Sequence, residues 1–184
     1  MMQPDDILLG MLMYFVLPVW LAAGFADYLC HRASHIELTS GWRESLLHLL
    51  QFGEMALPIL AAMFLEITSA VILLMIVCLV LHQLTAMWDV SYAAAKREVK
   101  PIEQHVHSVL EMMPLTGLLM VVALHWQAFL GLLRLEPASF TIALKPAPPS
   151  WQYVATMFTL TAFLEVLPYL EELLRGIRNR NPLP

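Results

Sequence analysis

The chain has 184 residues, of which 59% are hydrophobic and 14% charged, with a mean hydropathy of +0.68 and a net charge of −5 at pH 7. A soluble domain averages about 45–50% apolar and about 25% charged residues, so this composition excludes a water-soluble globule and points to lipid. The acidic balance, with no Lys/Arg cluster interleaved with aromatics, excludes nucleic acid as a partner.

The N-terminal MMQPDDILLG has neither the basic region nor the small-residue cleavage site of a secretory signal. The first apolar stretch is therefore expected to stay in the mature protein as a helix. Cys30 and Cys78 fall in different apolar stretches without CxxC spacing, which predicts no disulfide framework. Five stretches are long enough to cross a hydrocarbon core of about 30 Å, which takes roughly 20 helical residues.

The first span, residues 7–30, ends in Asp27, Cys30, His31 and His35. The second, residues 46–65, begins among Glu44 and His48 and carries Glu54 deeper. The third, residues 69–88, ends with His82, Asp89 and Tyr92. The fourth, residues 112–133, follows Glu103, His105, His107 and Glu111, and the fifth, residues 151–170, carries Glu165, Tyr169, Glu171 and Glu172 toward its end. Helical spacing of the polar residues beyond the first four spans predicts that these helices continue past the membrane surface. Pro18, Pro58, Pro114 and Pro168 lie in or near spans, where proline is tolerated and kinks the helix. The predicted fold is all-α: one domain over residues 1–184, a polytopic membrane bundle of about five transmembrane helices.

Basic residues sort by side. Arg32, Arg43, Lys96, Arg97, Lys100, Arg175, Arg178 and Arg180 flank one side, and Arg134 and Lys145 the other. The positive-inside rule then puts the N-terminus outside and the C-terminus in the cytoplasm, in the inner membrane if the source is bacterial. All the histidines and carboxylates just named fall in the cytoplasmic half.

Residues four apart on a helix differ by about 40° and lie one turn above one another. Asp27, His31 and His35 thus form one stripe, Glu44 and His48 a second, and Glu103, His107 and Glu111 a third. His82 and Asp89, seven apart, return nearly to one face. Each of the first four helices points a His and a carboxylate in one direction, and a bundle can bring those faces together. Imidazole mixed with carboxylate suits iron, zinc or manganese, and suits a two-metal centre above all. Bundled di-iron proteins build such sites from Glu-x-x-His helices; the spacing at Glu44/His48 and Glu103/His107 is Glu-x-x-x-His, an architectural analogy. Without partners, this many polar groups at partial membrane depth would cost on the order of 10 kcal/mol, and divalent cations would offset the charge.

The expected metal ligands are His31, His35, His48, His82, Asp89, Glu103 and His107, with Asp27 and Glu44 as ligands or as groups orienting imidazoles. His105 lies about 160° from the His107 face and reads as solvated; His125, some 27 Å along the helix, reads as unrelated. Glu54 reads equally as a relay or a hydrogen-bonded structural group. Glu165 is placed to complete the site, whereas Glu171 and Glu172 read as a solvated helix end. Trp88 and Tyr92 read as interfacial anchors, and Arg32, Arg43, Lys96 and Arg97 as side chains snorkelling at the surface, Arg97 within reach of an anionic head group.

The His-x-x-x-His of His31 and His35, followed by further His and acidic groups at helix ends, resembles in outline the membrane fatty acid hydroxylases and desaturases. That resemblance implies two irons activating O2 on a lipid-like substrate. The same His-x-x-x-His with a further His and Asp also resembles membrane zinc hydrolases of the alkaline ceramidase type. The expectation is a membrane-embedded di-iron oxidase, hydroxylase or desaturase acting from the cytoplasmic leaflet. It holds two divalent ions, iron first and zinc as the alternative. Its expected partners are membrane lipid, a hydrophobic small-molecule substrate and an electron-donor protein. The alternatives are a zinc-dependent lipid hydrolase, a non-enzymatic metal- or haem-binding subunit, and a proton or ion conduit through Glu54 and Glu165.

Overall fold

The computed structural model describes residues 3–179; Arg180, counted above among the basic residues, lies outside them. Six helices are present among the described residues: α1 (Pro4–Ser34), α2 (Trp42–Phe64), α3 (Ser69–Ala94), α4 (Pro101–Leu124), α5 (Trp126–Leu132) and α6 (Trp151–Arg178). All but α5 are long and apolar enough to cross a membrane. The outward faces carry Leu57, Leu73, Val80, Leu84 and Phe163, each large, apolar and exposed, as a lipid-facing surface requires.

Local sequence explains the helix starts and irregularities. Pro4 and Pro101 occupy first-turn positions, where a missing N–H costs nothing, and Ser150 caps α6 by accepting from the Tyr153 amide. Both α1 and α6 widen into a π turn, at Leu12–Val16 and Ala162–Val166, directly before Pro18 and Pro168. Proline cannot donate to the preceding turn and its ring crowds it, and a π turn absorbs both defects without ending the helix.

The fourth helix starts at Pro101 and includes its polar first turns, as their spacing predicts, but it breaks at His125 (φ −124°, ψ 43°), inside the expected span of residues 112–133, before the short α5. The α5 turn is pinned to α3, where Ser69 Oγ donates to the Ala128 carbonyl at 2.7 Å.

In the bundle α2 packs along α3, α1 along α4, and the second half of α6 along α1 and α2. One end holds a small apolar core of Ala61, Val71, Met75 and Val121. The end of α1, the start of α2, the end of α3, the start of α4 and the end of α6 meet at the other end. There a group of polar residues is buried beside Ile36, Leu47 and Ala93: Asp27, His31, Glu44, His48, Asp89, Glu103 and Glu172.

Candidate metal centre

Glu172 organises the site. Gly176, one turn further along α6, lies so close to the start of α2 that a Cβ there would come within 2.8 Å of the Trp42 amide nitrogen. That approach brings the fully buried Glu172 carboxylate between two imidazoles: His31 Nδ1 at 3.1 Å from Oε2 and His48 Nδ1 at 2.9 Å from Oε1. A carboxylate only accepts, so the network assigns the proton of each ring to Nδ1. The two rings lie nearly parallel, 10° between planes and 4.3 Å between centroids. Held this way, both rings direct Nε2 away from Glu172.

What those nitrogens face is acidic. His31 Nε2 is 3.4 Å from Asp27 Oδ1, 3.4 Å from Glu103 Oε1 and 4.0 Å from Glu44 Oε1. His48 Nε2 is 3.2 Å from Asp89 Oδ2, and His107 Nε2 is 2.9 Å from Asp27 Oδ1. Despite these short distances, Asp27 Oδ1, His31 Nε2, His48 Nε2 and Asp89 Oδ1 have no hydrogen bond of acceptable geometry. Buried polar atoms without partners are rare and costly. Here several converge on one place, an arrangement that a bound cation would satisfy.

Two sets of potential ligand atoms, each within 4.8 Å of one another, come from Asp27, His31, Glu103 and His107, and from His31, Glu44 and His48. Asp89 is fixed by Gln51 Nε2, which donates at 3.0 Å, and Tyr169 donates to the Gly24 carbonyl at 3.0 Å beside Asp27.

Arg97 closes the outer side. It was expected to snorkel, yet its side chain is only 3% exposed and reaches inward from the turn after α3. Nη2 donates to Glu44 Oε1 at 2.5 Å and to Glu103 Oε1, and Nη1 donates to Glu103 Oε2 at 3.0 Å. Burial opposes its charge, but the carboxylates of Glu103 and Glu44 outweigh it and hold the guanidinium above the ordinary arginine range.

Of the nine expected ligands, Asp27, His31, Glu44, His48, Asp89, Glu103 and His107 are brought together. His35 is not. The α1 helix ends there in a left-handed residue (φ 52°), and the ring is 70% exposed beside Glu37. His82 is buried but stands apart, about two helical turns deeper than Asp89. Glu54 accepts from Thr85 at 2.8 Å. His105 is exposed and Glu171 half-buried, the latter paired with Arg32 at 3.2 Å. Glu172, expected to be solvated with its neighbour, instead lies at the centre.

Beneath the cluster is a cavity of about 410 Å³ between α1, α2, α3, α4 and α6. Asp27, His48, Asp89, His107 and Glu165 line its polar end, and Leu17, Trp20, Phe52, Met55 and Ile59 its walls. No protein-family model matches the chain, and no curated protein or solved structure is similar to it.

Proposed function

We propose that this chain is a membrane-embedded di-iron enzyme, an oxidase, hydroxylase or desaturase that acts on a hydrophobic substrate from the cytoplasmic leaflet of an inner membrane. The observation that carries the reading is the pair of parallel imidazoles on Glu172. Two side-by-side Nε2 atoms suit two metal ions about 3.5–4 Å apart, and a carboxylate on the far ring nitrogen is the usual way a ligating histidine is oriented.

Charge supports two ions. Within the cluster itself, leaving out Glu165 in the cavity, five buried carboxylates (Asp27, Glu44, Asp89, Glu103 and Glu172) against one buried guanidinium (Arg97) leave −5 + 1 = −4 with neutral histidines. Two divalent cations supply +4. Ligand number favours iron over zinc. His31, His48, His107, Asp27, Glu44, Asp89 and Glu103 exceed the three that a catalytic zinc uses, and a mixed carboxylate–imidazole set suits iron.

When bound, such a pair of metals supplies O2 activation. The chain's own residues do the rest. Glu172 fixes the tautomer and direction of His31 and His48, Gln51 holds Asp89, and Arg97 lowers the local negative charge while sealing the cluster from the surface. The cavity below offers an apolar path by which a lipid-phase substrate reaches the ligands without crossing water.

Metal analysis of the detergent-purified protein, with its optical spectrum, tests the proposal. Two irons per chain are the expected result, one zinc would turn the reading to a hydrolase, and a Soret band to a haem subunit. Folded, metal-free and active protein would end it.

A further inference from the structure

Two buried side chains in the cavity have no use in the cluster. His82 on α3 is 5% exposed, with the Gln51 backbone near its ring but no hydrogen bond of good geometry at either nitrogen; Glu165 on α6 is 6% exposed and its Oε1 has no partner. Both line the cavity. Each sits seven residues before a residue that touches His48, His82 before Asp89 and Glu165 before Glu172. Seven residues is about 10 Å of helix, so each group starts from a backbone position below the ligands, on a different helix.

Glu165 is also placed by design of the backbone. It falls in the π turn of α6 and packs its carboxyl into the space that Gly24 leaves on α1, where any Cβ would collide with it. Gly24 is one turn, about 4.5 Å, below Asp27. An imidazole and a carboxyl can each donate and accept, and leaving both unpaired in an apolar cavity costs about 1–3 kcal/mol apiece.

The cavity continues toward the opposite end. A second space of about 140 Å³ shares Leu17, Trp20, Met55, Ile59 and Met63 with the first and ends near Lys145 and Tyr153. An unbranched chain fits this shape: polar groups at one end, then an apolar run across the bilayer.

We infer that the cavity takes a single-chain oxygenated amphiphile, a long-chain alcohol, aldehyde or ketone, with its oxygen hydrogen-bonded by Glu165 or His82 and its chain running along Trp20 and Met55. Plain hydrocarbon would leave both polar groups unpaired. The inference rests on the cavity being the substrate pocket of the proposed centre, and it narrows the substrate to one bearing oxygen close to the reacting carbon.

The test is ligand-induced thermal stabilisation of the metal-loaded protein in detergent, with 1-hexadecanol and hexadecane as the probes. The alcohol is expected to bind about tenfold or more tightly than the hydrocarbon. His82→Leu and Glu165→Leu should each reduce that preference while retaining the metal content of the parent. Equal binding of the two probes by the parent protein overturns the inference, and so does an undiminished preference in folded, metal-loaded variants. Should the variants fail to fold, the parent's comparison of the two probes decides alone. The two readings fail separately: purified protein that binds no metal sinks the di-iron reading, whereas equal binding of the two probes by metal-loaded protein sinks this one alone.

Discussion

The two ends of the bundle treat buried polar groups in opposite ways. At the end away from the cluster, three polar side chains find backbone partners. Thr68 Oγ1 donates to the Thr141 carbonyl at 3.0 Å, Ser69 to that of Ala128, and Lys145 Nζ to that of Ala62 at 2.5 Å. The Lys145 amide also takes the Phe64 carbonyl at 2.8 Å, so the loop after α5 satisfies the open end of α2. At the cluster end, carboxylates and imidazoles approach one another and several of their atoms remain without partners. The first pattern is what a helix bundle needs to be stable. The second is costly to stability, and a ligand that enters the cluster is what offsets it.

Substitutions at the two ends should therefore separate folding from metal binding. The largest effect is expected at Arg97. Arg97→Leu leaves Glu44 and Glu103 buried and unpaired, at a cost of about 3–5 kcal/mol in metal-stripped protein. Thermal unfolding should show most of that loss recovered on adding metal; an equal loss in both forms would mean that no cation shares those carboxylates.

Glu172→Gln comes next. The substituted amide can accept only one of the two Nδ1–H bonds, and metal affinity should fall about 10–100-fold, read by competition with a chelator. Gly24→Ala forces the Glu165 carboxyl out of its place and should cost about 1–3 kcal/mol by overpacking, with metal content unchanged.

At the opposite end, Lys145→Met removes one hydrogen bond to α2 and should cost about 1 kcal/mol without touching metal content. Burial pushes the Lys145 amine below the ordinary lysine range. Its folded form then releases the proton before its unfolded form does, so stability should rise with pH through the alkaline range up to the ordinary lysine value. Comparison of the parent with Lys145→Met across that range isolates the contribution. The smallest effect is at His35, whose left-handed backbone favours glycine while glycine's extra unfolded-state freedom opposes the gain: His35→Gly should leave metal binding intact and change stability by less than about 1 kcal/mol. A loss of metal in that variant would restore His35 to the site.

The contrast between the ends also marks what could be read from sequence. The five long apolar helices follow from composition and span length, and the facing stripes of Asp27/His31, Glu44/His48 and Glu103/His107 follow from four-residue spacing. Periodicity has no means of showing where a stripe stops. The spacing that joins His31 to His35 fails because the helix ends at His35. Glu171 and Glu172 look alike in sequence, yet they lie about 100° apart on α6, and the contact of Gly176 with Trp42 turns Glu172 inward. A residue seven beyond Glu165 was the available signal for it. Arg97 looks like a surface cation because its reach depends on the turn between α3 and α4, which no pattern specifies.

The central claim is that His31 and His48 hold neighbouring metal ions. X-ray absorption at the metal edge of the purified protein measures this directly. The account predicts nitrogen and oxygen ligands and a second metal at roughly 3.5–4 Å; a lone metal with no metal neighbour, or protein that folds and keeps this cluster with no metal at all, would contradict it.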